Sequence, residues 1–253
     1  MYARNRYGDG APRSSTDRAV CVQGRFGREA MVIETFDRPS EETLSELERV
    51  DPNELGHHRH FGHAAPELAF METARSASVV GSALTVRIPP VDGTMVHKAT
   101  ELAEPTDVIV IEMDGHETNA PWGEITTHAA VANGARGVVI GGAVTDTAAI
   151  REIDFPVYAR EKTTRTVQRL EDSLGGDINV PVQVGGAVVR PGDVAIGNGD
   201  GVAFVPRDEV EHVLEHYTGH SEAERDVIDR LYEGESLADI SGANDRIAAL
   251  RDE

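Results

Sequence analysis

Apolar residues along this chain gather in short runs separated by turn residues, which is the pattern of strands. Val79 to Ile88 and Val108 to Ile111 are two such runs, rich in β-branched residues, with a helical stretch at His97 to Leu102 between them. After a turn at Gly123, Glu124 to Asn133 reads as a helix stopped by Gly134, and Gly137 to Ile140 as a buried strand. Further strands are predicted at Val157, Val180 to Val184, Val194 to Ile196 and Val202 to Val205, with Pro-Gly and Gly-Asp pairs marking the turns. The βα alternation followed by a run of strands predicts an α/β fold with mixed sheets.

The ends read differently. Residues 1 to 40 carry Arg, Gly and Ser without helical or strand periodicity, so they read as a flexible arm or as sequence upstream of the natural start, with Met31 a candidate first residue. Ser40 followed by Glu41 and Glu42 supplies a cap and an acidic first turn, predicting a helix that runs through Leu47. Two polar helices, Arg207 to Tyr217 and Ser221 to Tyr232, are predicted near the C-terminus, packed on a neighbouring subunit or through one thin core-facing stripe. The expected division is an N-terminal arm over 1–38, an α/β domain over 39–218 and a helical extension over 219–253.

Composition narrows the function classes. With 253 residues, 40% of them apolar, the chain can bury a core without disulfide or structural metal. A lone Cys21 makes no internal disulfide, no run of about 18 apolar residues exists, and the N-terminus lacks an apolar signal segment, so a cytoplasmic protein with no membrane partner is expected. The 44 acidic residues outnumber the 24 basic ones, and a net charge of -20 repels phosphate backbones, so no nucleic-acid partner is expected. Only Lys98 and Lys162 are lysines; such an acidic, lysine-poor surface suggests a salty cytoplasm, where self-repulsion is screened within about 3 Å at 1 M salt.

Two segments carry candidate chemistry. In Trp122-Gly123-Glu124-Ile125-Thr126 a glycine precedes a helix whose free N–H groups and positive dipole end can hold a carboxylate or an enolate oxygen. In Ala143-Val144-Thr145-Asp146-Thr147 an aspartate follows a buried strand, in the crevice where open α/β sheets collect ligands, and can hold a hard divalent cation. Asp146 reads equally as the cap of a short helix from Thr147 to Glu152.

Several ordered pieces resemble the family of regulator of ribonuclease activity A, which includes the 4-hydroxy-4-methyl-2-oxoglutarate aldolases. They are Gly81-Ser82-Ala83-Leu84-Thr85-Val86, Ala120-Pro121-Trp122-Gly123-Glu124, Gly137 through Asp146, Pro156-Val157-Tyr158-Ala159-Arg160, and Val189-Arg190-Pro191-Gly192-Asp193 leading to Asp200-Gly201-Val202. The resemblance implies a swivelling α/β/β/α domain assembled as a homotrimer or homohexamer with sites between subunits. It implies that Gly123, Glu124, Ile125 and Thr126 bind a small 2-oxo acid, that Asp146 anchors Mg²⁺ or Mn²⁺, and that Glu224, on a neighbour's helix, is a candidate proton donor. Where the aldolases carry an arginine, this chain has Thr145, so one neutral hydroxyl stands in place of a charged, bidentate fork.

The activity so implied is metal-dependent retro-aldol cleavage or decarboxylation that releases pyruvate. The competing expectation is a regulatory protein acting by protein contact, since one scaffold serves both roles. Arg160, Arg87 or Arg190 are candidates to replace the missing guanidinium. His57, His58, His60 and His63 match no strong zinc spacing and read as a surface loop. Lys98 is a candidate Schiff-base lysine or a subunit contact, and Trp122 a pocket wall or a core residue. No glycine-rich nucleotide loop follows a first strand.

Overall fold

The apolar runs become the strands of one large sheet. The computed structural model describes residues 19–23, 29–58, 62–115, 118–168, 175–217 and 220–250. Its elements begin with β1 (Ala19–Gln23), β2 (Glu29–Ile33), α1 (Glu41–Leu47), α2 (Pro52–His58), β3 (Ala69–Phe70), β4 (Val79–Ile88), α3 (Thr94–Leu102) and β5 (Asp107–Met113). Then come α4 (Glu124–Ala132), β6 (Gly137–Ile140), β7 (Ala143–Val144), α5 (Thr147–Ile153), β8 (Val157–Ala159), β9 (Glu161–Lys162), β10 (Asp177–Ile178), β11 (Val182–Val184) and β12 (Ala187–Val189). The series ends with β13 (Val194–Asn198), β14 (Gly201–Val205), a 3-10 turn at Arg207–Glu209, α6 (Val210–Tyr217), α7 (His220–Tyr232), α8 (Leu237–Ile240) and α9 (Ala243–Ala249).

Strands β4, β5, β6 and β8 run parallel and side by side, joined in sequence through α3, α4 and α5. The other edge of the ten-residue β4 is shared: β13 pairs antiparallel with Val79 to Ser82, and β10 with Val86 and Arg87. Because side chains alternate across a strand, β5 sends Ile109 and Ile111 to one face and Val108 and Val110 to the other. The first face packs on α3, α4 and α5 through Met95, Val96, Ala99, Ala130 and Ile150. The second packs on β11 to β14 through Val184, Val189, Ala195 and Phe204. The outer side of β13 and β14 then meets α1, α2 and α6 through Leu44, Leu47, Leu55, Val210 and Val213. The layers therefore read α/β/β/α, a mixed α/β fold.

Two regions depart from the sequence expectation. Residues 29–33, without recognisable periodicity, form β2, which reaches the main sheet through one parallel pairing of Val32 with Ile178. Met31 N–H also donates to Asp177 at 2.8 Å. Residues 19–23 of the same arm form β1, which pairs antiparallel with all five residues of β2. His57 and His58 end α2 instead of opening a loop, while His60 lies outside the described residues. In α6 the thin stripe is realised by Val210, Val213 and Tyr217, whereas α7 buries none of its residues from Glu224 to Tyr232. No described helix is long and apolar enough to cross a membrane.

Candidate functional site

A small lateral ladder assembles the site beyond the carboxyl end of β6. Val144 of β7 bridges in parallel to Trp122 on one side and pairs with Lys162 of β9 on the other. Thr145 N–H donates to Trp122 O at 3.1 Å, and Thr163 N–H to Val144 O at 3.0 Å. The next residue of each strand, Gly123, Thr145 and Thr163, is thus brought to the same rim.

The turn before α4 is locked by hydroxyls. Gly123 N–H donates to Thr126 Oγ1 at 2.9 Å, and that hydroxyl donates to Gly123 O at 2.9 Å. Thr127 Oγ1 donates to the same carbonyl at 2.8 Å while accepting the Trp122 indole N–H at 2.8 Å. The Trp122 ring is buried and stacks on Phe155 at 6.3 Å, so its ring belongs to the core. The Ile125 side chain is exposed, and only its main-chain N–H can serve the turn. That N–H and the one of Thr126 have no intrahelical acceptor, as at any helix start.

Asp146 closes the arrangement. It stands at the N-cap of α5 with φ 55°, a left-handed conformation that aspartate tolerates, but its side chain makes no capping bond there. Its carboxylate instead reaches the neighbouring helix: Glu124 N–H donates to Oδ2 at 3.2 Å, and Thr145 Oγ1 donates to Oδ1 at 3.2 Å. The capping reading of Asp146 is thereby corrected, because the left-handed turn swings the carboxylate away from its own helix. A Cβ at Gly123 would lie 2.5 Å from Asp146 Oδ2 and 2.8 Å from Thr145 Cγ2, so glycine is what allows the carboxylate so close.

An open cavity of about 620 Å³ adjoins this contact, lined by Val144, Thr145, Asp146, Thr147, Lys162, Thr163 and Thr164. The chain after β9 continues across the front of the turn, where Ala120 N–H donates to Arg165 O at 2.7 Å and Val167 N–H to Ala120 O at 2.9 Å. A smaller recess of about 170 Å³ there is lined by Gly123 to Thr126, Thr145, Asp146 and Thr166.

Other expectations fall elsewhere. Arg87 is engaged by Asp177, which raises its pKa, and Arg190 lines a separate cavity with Asp193 and Arg207. Arg160 lines neither of the two recesses at Asp146. Lys98 is spent on a helical ion pair with Glu101 at 2.6 Å, outside the site. Glu224 is exposed on α7 and lines neither recess within this chain. Lys162 and the threonines after it were missed by sequence reasoning; the one available signal was that Lys162 is one of only two lysines.

A profile described as RraA-like, aldolase/RraA, matches residues 52–204, well over half of the chain. The chain belongs to the RraA-like family. Among curated relatives, a Halalkalibacterium halodurans protein named "Putative 4-hydroxy-4-methyl-2-oxoglutarate aldolase" is 38% identical over 137 residues, covering 54% of this chain. The match spans 64% of that RraA-like relative, short of two thirds of its length. A solved structure of an uncharacterised protein from Pseudomonas syringae pv. tomato superposes with TM-score 0.69 at 25% identity, over 83% of this chain and 97% of that one. Streptomyces coelicolor RraAS2, described as an unusual member of the RNase ES inhibitor RraA family, superposes with TM-score 0.66 at 23% identity, over 76% of this chain and 100% of that one. The RraA-like fold is common to both.

Among the described residues no three His, Cys, Asp or Glu side chains converge, so no all-protein cage of the zinc or calcium type is present. A single carboxylate beside an open cavity fits Mg²⁺ or Mn²⁺, which keep several waters and take their remaining ligands from substrate.

Proposed function

We propose that the protein is a divalent-metal-dependent carbon–carbon lyase acting on a small 2-oxo acid and releasing pyruvate. The observation that carries this reading is the Asp146 carboxylate held against the first turn of α4 at the mouth of the cavity. In it the N–H groups of Ile125 and Thr126 hold the substrate carboxylate at the positive end of the helix. That places two carboxylates at one helix start, and a cation between them relieves their repulsion, so Asp146 is the residue to hold Mg²⁺ or Mn²⁺. The ion, when bound, would polarise the 2-oxo group. Gly123 keeps the turn close to Asp146, and the Thr126 and Thr127 hydroxyls keep its shape during turnover.

Within an assembly, Glu224 of a neighbouring copy would protonate the product enolate. The exposed Ile228, Leu231 and Tyr232 on the same helix would be covered by subunit contact in a homotrimer or homohexamer. The second reading, a regulatory or ligand-binding protein without turnover, is favoured by one observation, that Thr145 stands at the expected arginine position.

The deciding experiment measures pyruvate release from oxaloacetate and from 4-hydroxy-4-methyl-2-oxoglutarate, with Mg²⁺ or Mn²⁺ in high salt, for the wild type and Asp146→Ala. Metal-dependent turnover that falls at least ~10²-fold in the variant supports the lyase. Folded, metal-supplied wild type that turns over neither substrate favours the second reading.

A further inference from the structure

We propose that Lys162 supplies, from the strand next to β7, the positive charge that Thr145 does not. The inference rests on the lyase reading and names the group that binds the anionic oxygen of the 2-oxo acid. Three observations lead to it. Lys162 is in register with Val144 and lines the same cavity as Thr145 and Asp146. Arg87 and Arg190 lie elsewhere, and the chain's other lysine is held by Glu101. Lys162 itself is exposed and enters none of the ion pairs of the described residues.

The chemistry asks for such a group. When the bond between C3 and C4 of a 2-oxo acid breaks, its electron pair moves into the C2–C3 bond and the carbonyl pair onto the C2 oxygen. In decarboxylation carbon dioxide leaves; in the retro-aldol the C4 hydroxyl gives its proton to water as C4 becomes the ketone of the departing second 2-oxo acid; in both a proton later adds to C3. A threonine hydroxyl meets the charge on that oxygen with one neutral hydrogen bond; an ammonium meets it with a full charge. Lysine carries its ammonium on a flexible four-carbon stem, and Lys162 lines the same cavity as Thr145. Threonines 163 and 164 lie on the same wall, and among the described residues Lys162 is the one cationic residue lining the cavity.

The test uses oxalate, a stable mimic of the pyruvate enolate, titrated calorimetrically into the full chain with Mg²⁺. Lys162→Met is expected to weaken oxalate binding ~10- to 100-fold, as for loss of a hydrogen bond to a charged group. Lys162→Arg is expected to stay within a few-fold of wild type, and adding Thr145→Arg to Lys162→Met is expected to restore binding. Because arginine forms no imine, the Arg rescue also separates a charge role from a Schiff base; borohydride with pyruvate should leave no adduct on Lys162. Unchanged affinity in Lys162→Met, no rescue by Thr145→Arg, or a trapped adduct would overturn the proposal while leaving the site reading intact. Wild type that binds no oxalate would overturn the site reading and this inference with it.

Discussion

Asp107 opens β5 at the amino end of the parallel strands, whereas Asp146 lies beyond the carboxyl end of β6. Asp107 is fully buried and gripped by the Arg38 fork, Nε and Nη2 each donating at 2.9 Å, with Glu104 N–H donating at 2.9 Å. Asp146 is exposed, holds one main-chain N–H and one hydroxyl, and faces a cavity. The amino end of the sheet is thus closed with its charge neutralised inside the chain, and the carboxyl end leaves a carboxylate exposed at a cavity. The contrast separates a carboxylate that holds the fold from one available for chemistry.

The most severe way to break the comparison is Arg38→Ala, which leaves Asp107 buried without its cation. It is expected to destabilise the fold by about 3–5 kcal/mol, read from denaturant midpoints. Asp146→Ala should move stability by only about 0.5 kcal/mol, as for an exposed side chain; a loss as large as that of Arg38→Ala would refute the assignment of Asp146 to function.

Gly123→Ala sharpens the comparison further. Its Cβ meets the tips of Asp146 and Thr145 rather than backbone, so overpacking should cost about 1 kcal/mol while displacing the carboxylate. Activity or metal affinity should therefore fall more than stability does, which thermal melts and metal titration of the same protein would show.

The smallest effect is in pH. Burial raises the pKa of Asp107 above its ordinary 3.8, against the opposing pull of Arg38. A raised folded-state value means the folded chain holds this proton more tightly. Its contribution is fully present below the ordinary value and is lost as pH rises through the raised one. Asp107→Asn should remove that part of the slope, seen as a difference between the two stability–pH curves.

Much of this architecture was legible in the chain. The strand over Val79–Ile88 and the strand over Gly137–Ile140 have the bounds predicted for them, because both segments are dense in apolar and β-branched residues. Ser40 caps α1 as its side chain predicts, accepting from Thr43 N–H at 3.1 Å. The pieces of the candidate site, Gly123 to Thr126 and Asp146, were legible as separate motifs, and the structure brings them into contact.

How those pieces join is a matter of distance in space. The reach of Asp146 to Glu124 N–H depends on a left-handed turn and on Trp122, Val144 and Lys162 lying side by side. Lys162 carries no local pattern that marks it, and β2 joins the main sheet only through its pairing with β10. Local periodicity and capping are written in neighbouring residues, so the sequence determined the central elements and the fold class. Which side chains share a cavity is decided by pairings between distant segments, and only the tertiary structure sets those.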